Sequence, residues 1–306
     1  MEVKHMKKLK TKLKFKEICL VLIVWILIYK FIKRQDLIGV IQRALPSGEA
    51  GLLAGMVWGE KGLISKDLNN LLKNTGLVHI VVVSGANLMI IGRGIIENLA
   101  KLMGRKMAIG AGGGIVLLYV NLVGWQIPVV RAVLFLAIYY WAQLLGRQFK
   151  SGRALFLVVL VMFLADFKVF TEISFWLSVA AFLGVLLSQK EGAIKSTVWV
   201  SIFILPILSI FFGKISLLTP IINLGVLFLV EIITVIGVGG SLIGLVWEGL
   251  GRLFLTISYA MLRYLIELVT ITGKWGWSSI NFQFNWLMLL GWYLVVGAFW
   301  YEKKKI

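Results

Sequence analysis

An all-α fold, a polytopic transmembrane helical bundle, is what this sequence predicts, and three observations carry the prediction. Hydrophobic residues make up 59% of the 306 and charged residues only 15%, far from the balance of a soluble domain. Apolar runs recur that are longer than a buried core helix requires, about 20 residues being enough to cross a bilayer. Lys and Arg collect in alternate connections between those runs, as cytoplasmic loops do. Together these give about ten spans, with one or two interfacial or re-entrant amphipathic helices.

The amino terminus carries Lys4, Lys7, Lys8, Lys10, Lys12, Lys14 and Lys16 ahead of an apolar run from Ile18 to Ile32. No small-residue cleavage site follows; Lys33 and Arg34 do. Residues 1–36 therefore read as a basic cytoplasmic tail and a retained signal-anchor helix, and residues 37–306 as the transmembrane domain. Further spans are expected near 77–96, 107–123, 129–145, 154–168, 173–188, 197–212, 218–236, 238–256 and 286–301. The loops with Lys101, Arg105 and Lys106, with Arg147, Lys150 and Arg153, and with Lys190 and Lys195 then fall on the cytoplasmic side of a plasma membrane, as do Lys303 to Lys305 and both termini. Even parity requires Ile257 to Asn285 to stay outside or on the membrane surface. The formal charge of +18 thus reads first as loop topology and contact with anionic lipid, and only second as a nucleic-acid patch. The lone Cys19 excludes an intrachain disulfide.

Two segments resist a simple spanning assignment. Pro46 to Gly59 is apolar, short and glycine-rich, with Glu49 and Glu60 at its edges, and suits an interfacial or re-entrant piece. From Ser241 to Thr270, the polar residues Glu248, Arg252, Thr256, Tyr259, Arg263, Glu267 and Thr270 recur every three or four positions and form one helical stripe. That stripe fits an amphipathic surface helix with i,i+4 ion pairs, or a helix facing a water-filled path. Gly110/Gly114, Gly51/Gly55 and Gly240/Gly244 have the spacing that lets helices approach closely.

Polar residues inside apolar runs mark the candidate functional positions, because they are expensive there. His79, Ser84, Gly85 and Asn87 interrupt the run Gly76 to Leu88. On one straight helix, His79 and Ser84 stand roughly 140° and 7.5 Å of rise apart, too far for a hydrolytic dyad unless Gly85 breaks the helix. Arg131 sits just inside the run after Pro128, either snorkelling to headgroups or facing a polar lumen. Glu231 lies deeper, where a carboxylate is expected to be protonated or paired. Asn223, after Thr219-Pro220, is suited to an interhelical hydrogen bond or to a carbonyl freed by the proline. Two histidines and one cysteine leave no zinc set, and no cofactor or catalytic role is expected.

Taken in order, these segments resemble the membrane domain of the ComEC-type competence protein family. Glu49-Ala-Gly-Leu-Leu-Ala-Gly resembles its early Ala/Leu/Gly block, and Gly76-Leu-Val-His-Ile-Val-Val-Val-Ser-Gly85 its Gly-Leu-x-His-x-x-x-x-Ser-Gly signature. Tyr119-Val-Asn-Leu-Val-Gly with Pro128-Val-Val-Arg-Ala132, then Gly146-Arg147, resembles the next block. Phe175-Trp-Leu-Ser178 and Pro220-Ile-Ile-Asn-Leu224 resemble two later motifs. The likeness covers roughly residues 46 to 230. Departures are Ala86-Asn87 where the family usually has Leu-His, so that an amide replaces a titratable imidazole, and Asp166-Phe-Lys, which lacks a nearby proline. The soluble OB-like and metallo-β-lactamase-like domains that often accompany this membrane domain are expected to be lacking.

The resemblance implies an inner-membrane channel for uptake of single-stranded DNA during natural transformation. Its partners would be single-stranded DNA, membrane lipids, a DNA receptor, a cytoplasmic translocase or helicase, and a separate nuclease; a homo-oligomer is left open. No phosphate-binding Gly-x-x-x-x-Gly-Lys-Ser/Thr loop occurs, so the driving work would come from a partner or an ion gradient. A polyanion needs a hydrated path with cationic or donating walls. His79, Ser84, Gly85, Asn87, Arg131, Asn223 and Glu231 would organise the core or line that path, and Arg252 and Arg263 are the candidates for phosphate contact. Trp275, Trp277, Phe282 and Phe284 fit either an interfacial aromatic belt or base-stacking platforms. The alternative is a transporter or flippase for a lipid-linked or small anionic substrate, which a polar stripe in a helical bundle serves equally well.

Overall fold

A computed structural model of the chain describes residues 32–81, 83, 85–188, 192–216, 219–275 and 279–303, so the basic tail and almost all of the anchor run lie outside the described residues. Twelve α-helices and one short two-stranded ribbon make up the described chain. Five helices are long and apolar enough to cross a membrane, and three shorter ones are apolar. The expected all-α membrane bundle is thus found.

Helices α1 (Arg34–Ala44) and α2 (Ser47–Trp58) form a hairpin around Leu45 and Pro46. The hairpin's open end is held by the Arg34–Glu60 ion pair at 2.9 Å, and its turn by Arg43 against Glu248 at 3.2 Å. Every residue of α2 from Glu49 to Trp58 is buried. This is how so short an apolar helix persists: from Glu49 onward it is enclosed by protein, not by lipid. Glycines make the enclosure tight, since a Cβ on Gly51 would lie 2.5 Å from the Leu63 carbonyl oxygen, and one on Gly55 3.0 Å from Val81. Gly59 ends the helix at φ 69°, a conformation only glycine adopts without strain. Helix α3 (Lys66–Asn74) is amphipathic, burying Leu68 and Leu72, and is capped by Ser65, whose hydroxyl accepts from the Leu68 N–H.

Next come α4 (Gly85–Met103), α5 (Arg105–Val123) and α6 (Ile127–Leu144), which pack together, then α7 (Ser151–Ala165), α8 (Ile173–Leu187) and α9 (Ala193–Phe212). The span expected over 77–96 is corrected here. Val78–Val81 is a 3-10 turn and the α-helix starts only at Gly85, so His79 and Ser84 do not share one straight helix. The angular separation reckoned for them no longer applies. Of the α5 glycines, Gly112 makes the close approach, to Ile96 of α4, whereas a Cβ on Gly110 would meet nothing.

Helices α10 (Thr219–Val246) and α11 (Glu248–Lys274) correct the expected topology further. In place of spans at 218–236 and 238–256 with an outer stretch after Ile257, two long helices turn at Trp247 and pack antiparallel. The buried residues of α11 include Gly251, Leu255, Ser258, Leu262, Leu265, Val269 and Thr272, alternating steps of four and three like a coiled-coil seam. Strand β1 (Lys214–Ser216) precedes α10 and strand β2 (Ser279–Asn281) follows α11, and the two pair antiparallel with Lys214 opposite Asn281. The hairpin therefore leaves and re-enters one end of the bundle, which a helix lying flat on a surface would not do. Helix α12 (Trp286–Lys303) closes the chain against α9, where the Tyr293 hydroxyl donates to the Phe203 carbonyl at 2.8 Å.

Candidate functional site

Breaking the apolar run at Gly85 turns the polar island into two pieces. Asn87, in the first turn of α4, is 1% exposed, and its Nδ2 donates to the Thr234 hydroxyl of α10 at 2.9 Å. Thr234 in turn donates to the Val230 carbonyl at 2.7 Å. The amide that stands where an imidazole is usual is thus part of an interhelical bond joining the α4–α6 group to the α10–α11 hairpin. Thr234 was not singled out in the sequence because one threonine in an apolar run carries no signal. Ser84 lies outside the described residues, as does the side chain of His79.

Arg131 occupies the second turn of α6 and is 9% exposed, the only buried cation among the described residues. No carboxylate lies within ion-pair reach of it among those residues. Its Nη1 donates to the Ser174 carbonyl of α8 over a long 3.4 Å, an oxygen that also accepts from the Ser178 hydroxyl at 2.9 Å. On the other side, Nη2 lies 3.9 Å from where a Cβ on Gly85 would stand, and the Pro128 carbonyl and Ala132 Cβ line the same spot at 3.3 and 3.4 Å. Gly85, the Pro-Val-Val-Arg-Ala block and the segment Ser174 to Ser178 therefore meet around one guanidinium. Arg131 does not snorkel; it points inward.

The other arginines proposed for anion contact are differently placed. Arg263 is 54% exposed on its side chain and held between Glu267 at 2.7 Å and the buried Glu49 of α2 at 3.5 Å. Two carboxylates therefore share this one guanidinium proposed for phosphate contact. Arg252 shares Glu248 with Arg43, at 3.9 and 3.2 Å, leaving one net positive charge on an exposed face. The polar stripe of α11 runs along that exposed side beside Leu253, Ile257, Tyr264 and Ile271, with the i,i+4 pairs the sequence suggested.

Asn223 is buried, and its Oδ1 has no hydrogen-bond partner among the described residues. Glu231 was expected inside the bundle. It stands instead on an exposed stripe of α10 with Phe228 and Val235 and has no ion pair among the described residues. Of the aromatics after α11, Phe282 and Phe284 meet edge to face at 5.2 Å and Phe284 packs on Trp292, while Trp277 lies outside the described residues. Two of the four sit in packing roles.

Architecture and polar inventory define a helical membrane protein whose buried cation is shared by several helices. Residues 56–305 match the family described as Competence protein, and the chain belongs to that family. Similar relatives include an uncharacterized protein, YcaI, of Escherichia coli strain K12, 26% identical over 280 residues, which are 80% of this chain and 36% of that one. Competence protein ComA of Neisseria gonorrhoeae is 29% identical over 189 residues, 56% of this chain and 27% of that one. ComE operon protein 3 of Bacillus subtilis strain 168 is 25% identical over 253 residues, 78% of this chain and 32% of that one. The chain thus spans about a third of the length of the curated relatives it matches. No solved structure matches it.

Proposed function

We propose that this chain forms the plasma-membrane conduit through which single-stranded DNA is taken up during competence. The observation that carries the reading is the family match over residues 56–305, which takes in the Arg131 helix and the α10–α11 hairpin. In this reading the ends rich in Lys101, Arg105, Arg147, Lys150 and Arg153 face the cytoplasm, and the β1–β2 ribbon faces outward. The chain supplies path and selectivity, while a translocase partner supplies work and no bond is made or broken here.

The test is uptake of radiolabelled DNA into the nuclease-protected cytoplasmic fraction of a strain deleted for this gene. Loss of internalisation, with surface-bound DNA retained, is expected. Normal internalisation in the deletion strain would end the conduit reading. Accumulation of a lipid-linked precursor in that strain, with DNA uptake intact, would favour a flippase instead.

A further inference from the structure

We propose that Arg131 and the opening turn of α4 together form an anion site that takes one backbone phosphodiester of the passing strand. The inference rests on the conduit reading and names the place where the polyanion is first held.

Four observations converge on it. Arg131 is more than nine-tenths buried yet has no carboxylate within reach among the described residues, whereas the other charged residue buried there, Glu49, is ion-paired. Its single hydrogen bond, to the Ser174 carbonyl, is long, and neither Nη2 nor Nε has a protein partner among the described residues. Nη2 is aimed at the start of a 19-residue helix, whose amino-terminal turn carries the positive end of the helix dipole. Two positive features facing each other in a low-dielectric interior repel, so an anion between them, or water reaching them, stabilises the arrangement. The residue at the mouth is glycine, and a side chain there would crowd the Pro128 carbonyl and Ala132 before it reached the guanidinium. Absence of a Cβ keeps this side of the guanidinium free of that crowding.

The planar guanidinium fork prefers an acceptor it can bind through two oxygens, and a phosphodiester presents two non-bridging oxygens at one negative charge. That charge matches one arginine. It also matches a ligand that must move on: a single phosphate held by one cation and a helix terminus binds firmly enough to guide and weakly enough to release.

The experiment uses the full chain purified into phospholipid-free detergent, with a fluorescent 20-nucleotide oligothymidylate and its uncharged methylphosphonate counterpart as probes. Arg131→Gln is expected to weaken binding of the charged oligonucleotide about tenfold, to leave the uncharged one unaffected, and to lower the salt slope by about 0.7, the value for one phosphate contact on a single strand. Arg131→Lys, keeping the charge but not the fork, is expected between the two. Gly85→Ala keeps the arginine and is expected to weaken binding as well, while Gly94→Ala, where a Cβ meets nothing, leaves it unchanged. Equal affinity and slope for Arg131→Gln and the parent protein overturn the proposal, while the conduit reading is decided separately by DNA uptake in the deletion strain. A phospholipid that stays with the parent protein and is lost from Arg131→Gln, with oligonucleotide binding unmoved, also overturns it and assigns the site to a lipid headgroup. Should Arg131→Gln fail to insert, Gly85→Ala decides alone, and unchanged affinity there overturns the proposal.

Discussion

Gly251→Ala should loosen the whole α10–α11 hairpin, and the size of the effect follows from what the new methyl meets. A Cβ at Gly251 would stand 2.2 Å from the Gly244 Cα, 2.6 Å from its nitrogen and 2.9 Å from the Gly240 carbonyl oxygen. All three are backbone atoms, so no rotamer change relieves the clash and the helices must part by about 1 Å. A gap of that size forfeits about half of each dispersion contact along the adjoining seam of Leu255, Ser258 and Leu262. Overpacking of this kind costs about 3 kcal/mol, the upper part of its usual range, and the roughly 1 kcal/mol helix-propensity gain of Ala over Gly offsets only part of it. The measurement is the melting temperature of detergent-purified protein, followed by loss of its monodisperse gel-filtration peak on heating. Gly239→Ala is the matched control, because a Cβ there meets nothing within 4 Å. It should melt no lower than the parent, whereas Gly251→Ala should melt several degrees below it. Equal melting of the two variants would show that the close crossing is not made and would refute the hairpin geometry.

Two more outcomes are expected. Thr234→Val keeps shape but removes the acceptor of the Asn87 amide, so it should cost about 1–2 kcal/mol of stability, and pairing it with Asn87→Leu should restore most of that loss; a double variant no more stable than Thr234→Val would argue that the bond is not made. For topology, single cysteines placed at Trp247 and at Ile280 in a Cys19→Ser background should label from opposite sides with a membrane-impermeant maleimide, Ile280 alone in intact cells; labelling of both from outside would mean that α11 does not cross.

Periodicity made the apolar spans readable over 107–212, where each run is bounded by charged or glycine-containing loops and the helices fall within a few residues of expectation. It misplaced two boundaries for one physical reason. Hydropathy does not mark a turn built from apolar residues, so the break between Val81 and Gly85 was hidden, and the α10–α11 turn was drawn near Gly237 although the chain turns at the exposed, apolar Val246 and Trp247. The glycines there proved to be contacts, not breaks: a Cβ at Gly237 would press on Leu53 and Val57 of α2. Arg131 was legible as a singular residue, because a cation in an apolar run is costly wherever it points. Its direction was not, since that depends on Gly85 and Ser174, which lie far away in sequence. Pairing was equally hidden: nothing local to Arg263 tells that Glu49 of α2 takes up its charge.

The contrast between Glu49 and Arg131 yields a last prediction in which stability and function move in opposite directions. Both are charged residues buried among the described residues, and burial of charge is tolerated when the charge is answered. Glu49 is answered by Arg263 from the protein itself. Arg131 is answered by no carboxylate within ion-pair reach among the described residues, and the Ser174 carbonyl supplies only a dipole at 3.4 Å. Gly85→Asp would supply the missing anion from within: the aspartate Cβ would sit 3.9 Å from Nη2, and its carboxylate would stand at a helix amino terminus, where an acidic group adds about 0.3–1 kcal/mol. If an external phosphate normally occupies that spot, the variant should melt at or above the parent temperature while binding the charged oligonucleotide more weakly than Gly85→Ala does. A purely structural arginine predicts a different pair of results, with stability raised and oligonucleotide affinity untouched. The two readings therefore separate on one variant measured twice, and the second measurement, affinity in a protein shown by the first to be well folded, is the one that decides between a packing cation and a binding one.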